Sequence, residues 1–506
     1  MKRMKLQNGS DIRGIALSTA DLTADLTEDA VKEIASGLRT WLLQRYTEPL
    51  KVAVGRDSRL SGETLQQAFM NQLRIEGITV IDCGLATTPA LFMSTQFADF
   101  DCDAGVMLTA SHLPYYFNGI KIFSKSGGAE KEDISFILAH PEAHPADQLG
   151  EYYQRDLLTP YAADMVTKIR HGMQTEEEQP LAGMKIIVDA GNGAGGFFAE
   201  QVLVPLGADT NGSQFLEPDG HFPNHIPNPD NKEAMASIME AVLREQADLG
   251  IIFDTDVDRS AVVTKSGQPL NRNNMIAVLS KIVLSEHPAA SIVTNSPTST
   301  HLKTFIESLG GHQVRYISGY RNVINKAIAL NEKGINAQLA IETSGHAAFK
   351  ENYFLDDGAY VIAKILMLLP TLRAQNISLE DLIAALKQPV ETQELRFKIN
   401  DSDYRATGEK VIASLAHHLP SGWQIDNENE EGIRIQVSAP YGQGWFLLRL
   451  SLHEPLLVLQ IENDQPGHLP AIVREISERL LPFEAIDQSA ICLLYTSPSP
   501  RDTERS

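Results

Sequence analysis

The stretch AGVML followed by TASHLP, residues 104–114, decides the fold class of this chain. Its first half is a short apolar run that is typical of a buried strand, and its second half is polar. Open α/β sheets bind ligands in the crevice beyond the carboxyl ends of their strands, and Ser111 stands at such an end. With His112 and Lys121 nearby, a base or a charge is available to activate the serine hydroxyl as a nucleophile. Taken alone, the segment also fits a polar loop that merely closes a turn.

Apolar runs that end in glycine or polar residues recur along the chain. They occupy residues 51–54, 185–188, 249–253, 291–293 and 337–341. Such near-continuous apolar strands indicate parallel sheets covered on both faces, and helix-period segments such as 231–247 and 300–309 lie between them. This alternation predicts α/β domains. Beyond residue 395 the predicted strands alternate between apolar and polar residues, and two helix-period segments lie among them, at 408–418 and 470–480. This pattern predicts a smaller α+β domain with an antiparallel sheet.

Composition limits the classes of protein to which the chain can belong. Its 506 residues are enough for three or four domains. A net charge of −22 argues against a general nucleic-acid or anionic-membrane partner, because phosphate backbones select basic surfaces. Three cysteines without zinc-site spacing fit a reducing cytoplasm, and the basic start is not followed by the apolar core of a signal peptide. We therefore expect a cytoplasmic protein that binds neither nucleic acid nor membrane.

Three carboxylates follow the apolar run 249–253 at every second position. They are Asp254, Asp256 and Asp258. In extended backbone their side chains share one face, where three like charges repel one another unless a cation neutralises them. Ligand sets made only of oxygen suit Mg²⁺, Mn²⁺ or Ca²⁺ and do not suit zinc. The alternative is a solvated acidic turn, although a buried strand that aims three acids at one point is costly without a partner.

Two later segments carry groups that bind sugars and anions. Glu342 and Ser344 pair a carboxylate with a hydroxyl, which suits sugar hydroxyls, although alone they also fit a helix N-cap and turn. Arg449, Ser451 and His453 stand at alternate positions, so all three can face one anion. The alternative for these three is the edge of a strand with ordinary polar residues.

A glycine-rich turn at 191–196 raises a rival hypothesis. The turn matches G-x-G-x-x-G after a predicted strand, which is the dinucleotide fingerprint of a nicotinamide-dependent oxidoreductase. Glycines of this kind also serve simple tight turns. No Walker phosphate loop is present in the sequence, which argues against a P-loop kinase.

Taken together, these segments resemble the α-D-phosphohexomutase family of phosphomannomutases, phosphoglucomutases and phosphoglucosamine mutases. The resemblance spans residues 9–462 and rests on the family's serine, metal and sugar loops and on shorter matches. These lie at 109–114 with 118–121, at 254–259, at 342–346, and at 10–14, 54–59 and 218–223. The turn at 191–195 also matches the family's second domain, which removes most support for a dehydrogenase. Leu113 replaces the family's Asn in the serine loop, and Leu452 with His453 replaces Gly-Thr in the phosphate loop.

The resemblance implies three similar α/β domains with mixed sheets and a C-terminal α+β domain around a central cleft. We expect domain I at 1–150 with the serine loop and domain II at 151–253 with the metal loop at its end. Domain III is expected at 254–372 with the sugar loop, and domain IV at 373–488 with the phosphate loop. Residues 489–506 continue no pattern of the helix before them, and we expect a disordered or non-native tail.

The resemblance also assigns roles to the candidate residues. It implies that Ser111 carries a phosphoryl group and, with the three aspartates, holds one Mg²⁺. The remaining implied roles are proton transfer for His112 and Lys121, contact with phosphoserine or loop orientation for Arg13 and Arg259, and substrate binding for Glu342, Ser344, His346, Arg449, Ser451 and His453.

The implied activity interconverts the 1-phosphate and 6-phosphate of a hexose, mannose or glucose or both, through a bisphosphate that turns round in the cleft. Hexose 1,6-bisphosphate would be the activator, and the partners are small sugar phosphates. A monomer or homodimer is expected. The alternatives are a phosphoglucosamine mutase, a metal-dependent phosphatase that uses the same serine and acids, and a non-catalytic relative that binds sugar phosphates.

Overall fold

The computed structural model describes residues 3–496 as four successive units, each built on its own sheet. The first three sheets mix parallel and antiparallel strands, and the fourth is antiparallel throughout. This confirms the predicted fold class, three α/β units followed by an α+β unit. Among the described residues, no helix has both the length and the apolar character needed to cross a bilayer.

The first unit carries the largest sheet. Its strands are β1 (Gln7–Asn8), β2 (Asp11–Ile15), β3 (Lys51–Arg56), β4 (Thr79–Leu85), β5 (Ala104–Leu108), β6 (Phe117–Ser124), β7 (Gly127–Gly128) and β8 (Tyr152–Gln154), and its helices are α1 (Glu28–Leu43), α2 (Gly62–Ile75), α3 (Thr88–Met93) and α4 (Lys131–Ala139). The strand order is β1-β2-β6-β5-β3-β4-β8, with β7 beside β6. Val52 and Val54 of β3 face α1, α2 and α4, whereas Ala53 faces α3, so both faces of the sheet are buried.

The second unit has a smaller mixed sheet. Its strands are β9 (Ile186–Asp189), β10 (Leu249–Phe253), β11 (Ser260–Thr264) and β12 (Pro269–Leu270), and its helices are α5 (Leu158–Met173), α6 (Lys232–Glu245) and a π-helical turn at Ala199–Leu203. The order is β12-β11-β10-β9, and β10 pairs with β11 in a hairpin whose loop is 254–259. The sheet therefore continues across residues 253 and 254, where the sequence predicts a domain boundary.

The third unit places three parallel strand ends side by side. Its strands are β13 (Ser291–Asn295), β14 (His312–Tyr316), β15 (Ala337–Ile341), β16 (Ala347–Phe349) and β17 (Leu355–Asp356), and its helices are α7 (Arg272–Glu286), α8 (Thr300–Ser308), α9 (Tyr320–Glu332), α10 (Gly358–Leu366) and α11 (Leu369–Ala374). The order is β14-β13-β15-β16-β17, with β13 parallel to both β14 and β15. The crevice beyond these three ends is where such a sheet binds ligands.

The fourth unit has its own core. Its strands are β18 (Glu391–Lys398), β19 (Trp423–Ile425), β20 (Ile433–Val437), β21 (Gly444–Leu450) and β22 (Leu456–Asn463), in the order β18-β22-β21-β20-β19, with helices α12 (Tyr404–Leu415) and α13 (Leu469–Leu480). Its buried apolar residues form one cluster, whereas the largest cluster runs through the first three units. Short 3-10 helices lie at Arg3–Leu6, Lys350–Asn352 and Glu380–Ile383.

The predicted elements appear with small shifts. The five apolar runs form β3, β9, β10, β13 and β15. The helix predicted at 408–418 begins earlier, at Tyr404, because the Asp403 carboxylate accepts a hydrogen bond from Ala406 N and caps the first turn. The tail expected from residue 489 starts as a helix, α14 (Ser489–Thr496), whose Ile491 is buried in the fourth core. Residues 497–506 lie outside the described part of the chain.

Candidate active site

Ser111 lies in the loop after β5, in an uncommon backbone conformation. Its φ is 52°, in the left-handed region that residues other than glycine rarely adopt. Ser111 N donates a hydrogen bond to Thr109 Oγ1 at 2.9 Å, and Thr109 Oγ1 donates to Asp57 Oδ2 at 2.7 Å. All three residues are buried. The loop is thus held from β3, and the strain at the serine is typical of functional sites.

Arg59 fastens the rest of the serine loop. Its buried guanidinium donates to the backbone carbonyl oxygens of Ser111, Leu113 (2.8 Å), Pro114 (2.8 Å) and Phe117 (3.0 Å). Hydrogen bonds from a charged donor are the stronger kind, so one side chain fixes the path of the whole loop. The replacement of Asn by Leu113 leaves this arrangement intact, because the contact is made by the backbone.

The acidic hairpin of the second unit meets the serine. Ser111 Oγ donates to Asp254 Oδ2 at 3.2 Å, and carboxylate oxygens of Asp254, Asp256 and Asp258 lie within 4.8 Å of one another. All three aspartates are buried. Within the described residues, Asp256 Oδ1 and Asp258 Oδ1 are buried without a hydrogen-bond partner. Buried acceptors of this kind need a donor or a cation, and an all-oxygen set fits Mg²⁺.

Lys121 supplies positive charge to the same acids. Its Nζ lies 2.6 Å from Asp258 Oδ2 and 3.6 Å from Asp256 Oδ2, and it is buried. Burial alone would lower the pKa of Lys121, but the two carboxylates outweigh it and hold that pKa well above its usual value. The side chain is therefore an ammonium at neutral pH. Thr88, which begins α3, donates its hydroxyl hydrogen to Asp256 Oδ2.

Arg259 joins the metal loop to the serine loop. Its Nε lies 3.0 Å from Asp254 Oδ2, and its Nη2 donates to Ser111 Oγ at 3.2 Å and to His112 Nδ1 at 2.6 Å. Its Nη1 donates to Asn228 Oδ1 at 3.2 Å. The guanidinium thus contacts the hydroxyl, one acid and the imidazole together, in a position that suits binding of an anionic group on the serine.

His112 is neutral in this setting. Burial lowers its pKa to about 2, and the positive charges of Arg259 and Arg13 act in the same direction. Arg13 stands on β2, and its Nη2 is 3.5 Å from Asp11 Oδ2. The pKa of His453 is also lowered, by burial and then by the charge of Arg13. The charge of Arg13 therefore acts on both His112 and His453, and its ion pair is with Asp11.

The sugar loop follows β15 and packs on the metal hairpin. Glu342 Oε2 accepts a hydrogen bond from Gly319 N at 2.8 Å, and burial raises the pKa of Glu342. Arg259 Nη1 donates to the Ser344 carbonyl oxygen at 3.5 Å, and the backbones of Arg259 and His346 form an isolated antiparallel bridge. Ser344 and His346 are thus joined to the metal hairpin through Arg259, and Glu342 is held by the segment that follows β14.

His346 occupies a different setting from Glu342 and Ser344. Its Nδ1 is hydrogen-bonded to Asp356 Oδ2 and lies 3.9 Å from Asp258 Oδ2. Its ring stacks on Tyr320, with centroids 5.1 Å apart. The visible contacts of His346 therefore hold the loop and a metal-loop acid in place, and a direct role in substrate binding stays a prediction.

The phosphate loop extends from the fourth unit to the first. Arg449 is the last but one residue of β21, and its Nη1 lies 3.8 Å from Glu431 Oε1. Ser451 N donates to the Leu456 carbonyl oxygen at 2.9 Å. His453 keeps an exposed surface, but its ring packs beside the turn between β1 and β2 and is partly shielded from water there, since a Cβ at Gly9 would lie 3.8 Å from its Cε1. The four units therefore contribute the serine loop, metal hairpin, sugar loop and phosphate loop to one region.

The glycine turn at 191–196 packs against the metal hairpin. Ala194 N donates to the Thr255 carbonyl oxygen at 2.8 Å, and a Cβ at Gly193 would lie 2.7 Å from the same oxygen. Glycine is needed there for the close approach of two backbones. This packing accounts for Gly193 without a dinucleotide.

Several residues of the site were not predicted from the sequence. Asp57 and Arg59 stood only within a matching segment, and no role was assigned to them. The others are Thr88, Asn228, Tyr320, Asp356 and Glu431. They reach the site through tertiary contacts, some within one unit and some between units, so no local spacing along the chain identifies them.

Comparisons with known proteins agree with this arrangement. Three models of the family described as phosphoglucomutase/phosphomannomutase match this chain. The model of α/β/α domain I matches residues 4–141, that of domain II residues 160–267 and that of domain III residues 271–390. A phosphoglucomutase of Neisseria gonorrhoeae is 31% identical over 96% of this chain and 97% of its own. A phosphomannomutase/phosphoglucomutase of Pseudomonas aeruginosa is 32% identical over 95% of each chain.

Solved structures show the same fold. A phosphoglucomutase/phosphomannomutase family protein from Burkholderia thailandensis has a TM-score of 0.77 at 26% identity, over 95% of this chain and 98% of its own. The open form of parafusin, a phosphoglucomutase from Paramecium, has a TM-score of 0.69 at 16% identity over 94% of each chain, which supports the fold alone. With three successive family models matched and relatives at 31% and 32% identity over nearly its whole length, the chain belongs to the phosphoglucomutase/phosphomannomutase family.

Proposed function

We propose that the chain is a phosphohexomutase that interconverts the 1-phosphate and 6-phosphate of mannose, glucose or both. The observation that carries the proposal is the position of Ser111 Oγ, 3.2 Å from both Asp254 Oδ2 and Arg259 Nη2 at the edge of a buried acidic cluster. A hydroxyl between a carboxylate cluster and a guanidinium suits phosphoryl transfer, in which positioning and electrostatics do most of the catalysis. The names of the relatives support the same activity.

Ser111 is proposed to carry the phosphoryl group between the two ends of the sugar. In the first half-reaction the bond from phosphorus to Ser111 Oγ breaks while a bond forms to the free sugar hydroxyl oxygen, and the proton that this hydroxyl loses is returned to Ser111 Oγ. The resulting hexose 1,6-bisphosphate turns round in the cleft. In the second half-reaction the bond from the other phosphorus to the sugar oxygen breaks while one forms to Ser111 Oγ, and the proton that Ser111 loses passes to the released sugar oxygen.

The two predicted proton-transfer groups differ in charge. His112 is neutral, because burial and two neighbouring arginines lower its pKa, but its Nδ1 accepts a hydrogen bond from Arg259 Nη2, so it would take a proton only after Arg259 turns to the phosphoryl oxygens. Lys121 is an ammonium that its two carboxylates make reluctant to lose a proton, so it suits stabilising an oxygen that gains negative charge better than donating a proton. Arg259 lies against both Ser111 and His112 and would bind the phosphoryl oxygens on the serine.

The three aspartates and Ser111 are the residues that would hold Mg²⁺. The unpartnered Oδ1 atoms of Asp256 and Asp258 and the all-oxygen donor set fit that ion. Mg²⁺ bound there would offset the negative charge of the transferring group. The aspartates themselves orient the serine hydroxyl, through Asp254, and Lys121, through Asp258.

The far side of the cleft must hold the sugar in two orientations. Glu342 and Ser344 are proposed to bind ring hydroxyls, and Arg449, Ser451 and His453 to bind the phosphate that does not react. Closure of the fourth unit over the sugar would exclude the water that hydrolyses phosphoserine. Location in the cytoplasm and a monomeric or homodimeric state stay predictions.

One assay separates this function from its alternatives. The purified full chain is given mannose, glucose or glucosamine 1-phosphate with Mg²⁺ and glucose 1,6-bisphosphate, and both the 6-phosphate isomer and free phosphate are measured. Isomer formed in large excess over free phosphate from the mannose or glucose substrate supports the proposal. Free phosphate without isomer would indicate a phosphatase. Isomer formed only from glucosamine 1-phosphate would indicate a phosphoglucosamine mutase, and the absence of any product would indicate a binding protein.

A further inference from the structure

Glu431 of the fourth unit inserts into the ligand crevice of the third. The residue lies in the turn before β20, and its side chain is only 10% exposed. Its Oε2 accepts hydrogen bonds from Ser318 N at 3.1 Å, from Ser318 Oγ at 2.8 Å and from Ser296 Oγ. Ser296 follows β13 and Ser318 follows β14, so one carboxylate joins the carboxyl ends of two parallel strands.

The other oxygen of the same carboxylate faces the phosphate loop. Glu431 Oε1 lies 3.8 Å from Arg449 Nη1, and Arg449 also donates to its neighbour's carbonyl oxygen, that of Leu450, at 3.5 Å. Glu431 thus lies between the guanidinium proposed to bind the distal phosphate and the sheet of the third unit. Because this ion pair is largely shielded from water, salt screens the attraction between the two charges only a little. The attraction therefore restricts the position of the Arg449 guanidinium.

A glycine makes this approach possible. Gly432 has a φ of 60°, and a Cβ there would lie 2.1 Å from the Leu448 carbonyl oxygen and 2.9 Å from Arg449 Cα. No side chain fits that space, so the turn packs directly on the backbone of Arg449. The backbone therefore presses Glu431 and Arg449 together independently of their charges.

The same contact extends to the sugar loop. Ser318 is followed by Gly319, whose N donates to Glu342 Oε2 at 2.8 Å. β13 is hydrogen-bonded to both β14 and β15, so the strand ends that carry Ser296, Ser318 and Glu342 are neighbours. A change at Glu431 therefore affects the segment that orients the proposed sugar-binding acid.

We propose that Glu431 is a positioning residue that fastens the fourth unit onto the third and presents Arg449 to the distal phosphate. The ligand named here rests on the proposed mutase function, whereas the fastening of the two units rests on the contacts alone. In Glu431→Gln the negative charge facing Arg449 is lost, and one of the two carboxylate oxygens becomes an NH2 group, which donates. The hydrogen bonds that the carboxylate accepts from Ser296 and Ser318 therefore weaken. The fourth unit should then close less completely, with a weaker hold on phosphate and more water at the phosphoserine.

Glu428→Gln is the matched control. Glu428 lies in the same turn, its side chain is 68% exposed, and it pairs with Lys303 on α8, so it also joins the fourth unit to the third. It has no part in the contacts that surround Arg449. Its substitution removes one charge from the same interface, and surface pairs of this kind contribute little to stability.

The test measures closure and turnover in the full chain. For Glu431→Gln we expect a larger radius of gyration by small-angle X-ray scattering and a KM for hexose 1-phosphate raised about tenfold, since hydrogen bonds to a charged group are lost. We also expect kcat to change much less than KM, and more free phosphate per isomer formed. Glu428→Gln should match the wild type in all four readings.

The outcomes separate this proposal from the mutase function. If the wild type forms no isomer but Glu431→Gln still expands, the fastening stands and the assigned function fails. If the wild type is an active mutase and Glu431→Gln behaves like Glu428→Gln in size, KM and phosphate release, the role assigned to Glu431 is wrong. If circular dichroism shows that Glu431→Gln does not fold, the same measurements are made on Ser318→Ala. An unchanged size and KM in that variant would overturn the proposal.

Discussion

Ser111 Oγ and Asp254 Oδ2 lie 3.2 Å apart although 143 positions separate the two residues along the chain. The serine belongs to the loop after β5 of the first unit and the aspartate to the hairpin loop after β10 of the second. Their contact therefore exists only when two sheets pack against each other. It unites the nucleophile and the acidic cluster that the sequence predicts separately.

The acidic cluster should be needed for binding of a divalent ion. Asp256→Asn removes one negative charge from a buried oxygen set, so we expect both Mg²⁺ affinity and turnover to fall, each by about tenfold or more. Mg²⁺ binding to the full chain is measured by calorimetry, and turnover is measured over a Mg²⁺ titration. Asp164→Asn on α5, whose carboxylate pairs with Lys168, is the matched control and should behave as the wild type. Unchanged turnover after all divalent metal has been removed by a chelator would mean that the aspartates are not a metal site.

Arg59 should govern the order of the serine loop. Arg59→Lys keeps the charge but cannot supply hydrogen bonds to four carbonyl oxygens, so we expect the free energy of unfolding to fall by about 3 kcal/mol. Turnover should fall as well, because the hydroxyl is held less firmly. Denaturant unfolding and steady-state kinetics measure the two effects.

Arg39→Lys serves as the control for Arg59→Lys. Arg39 on α1 pairs with the more exposed Glu48, and a surface pair of this kind contributes about 1 kcal/mol at most. Wild-type stability and turnover in Arg59→Lys would show that the carbonyl contacts do not hold the loop.

His225 should make stability depend on pH. Its Nε2 lies 2.9 Å from both carboxylate oxygens of Asp189; burial opposes the charged form, but the hydrogen bond and the charge of Asp189 outweigh it and raise the pKa of His225 above its ordinary 6.5. The folded protein thus holds this proton more tightly than the unfolded chain. The stabilisation is complete below pH 6.5 and is lost as the pH rises through the raised pKa.

The free energy of unfolding of wild type and His225→Gln, measured between about pH 5 and about pH 9, tests this. The difference between the two should shrink as the pH rises. A difference that is constant or grows with pH contradicts the assignment of a raised pKa.

Local patterns predict the ends of strands well and the partners across units poorly. The spacing of Asp254, Asp256 and Asp258 after an apolar run identified the acidic cluster, because both the strand and the alternation are local. Arg59 and Thr88 reach the same site from other parts of the first unit, and Asn228 from a loop of the second. Their roles depend on tertiary packing, for which the sequence carries no periodicity.

The structure differs from the sequence-based expectation at two further places. A boundary after residue 253 looks natural in the sequence, because a buried strand ends there and a polar loop begins. The chain turns back instead, and Ser260 pairs with Phe253 in the same sheet. The tail looks patternless from residue 489, yet residues 489–496 form α14, and its Ile491 is buried in the core of the fourth unit. The first contact is the pairing of two consecutive strands across a polar loop, and the second is packing on the distant core of the fourth unit.

The site of phosphorylation tests the central claim most directly. The full chain is incubated with glucose 1,6-bisphosphate and Mg²⁺, its intact mass is measured, and the modified peptide is mapped by tandem mass spectrometry, with Ser111→Ala treated in parallel. We predict one phosphoryl group on Ser111 that disappears when hexose 1-phosphate is added, and a folded Ser111→Ala variant that acquires none and has no mutase activity. A phosphoryl group on another residue, or mutase turnover that survives in Ser111→Ala, would contradict the account.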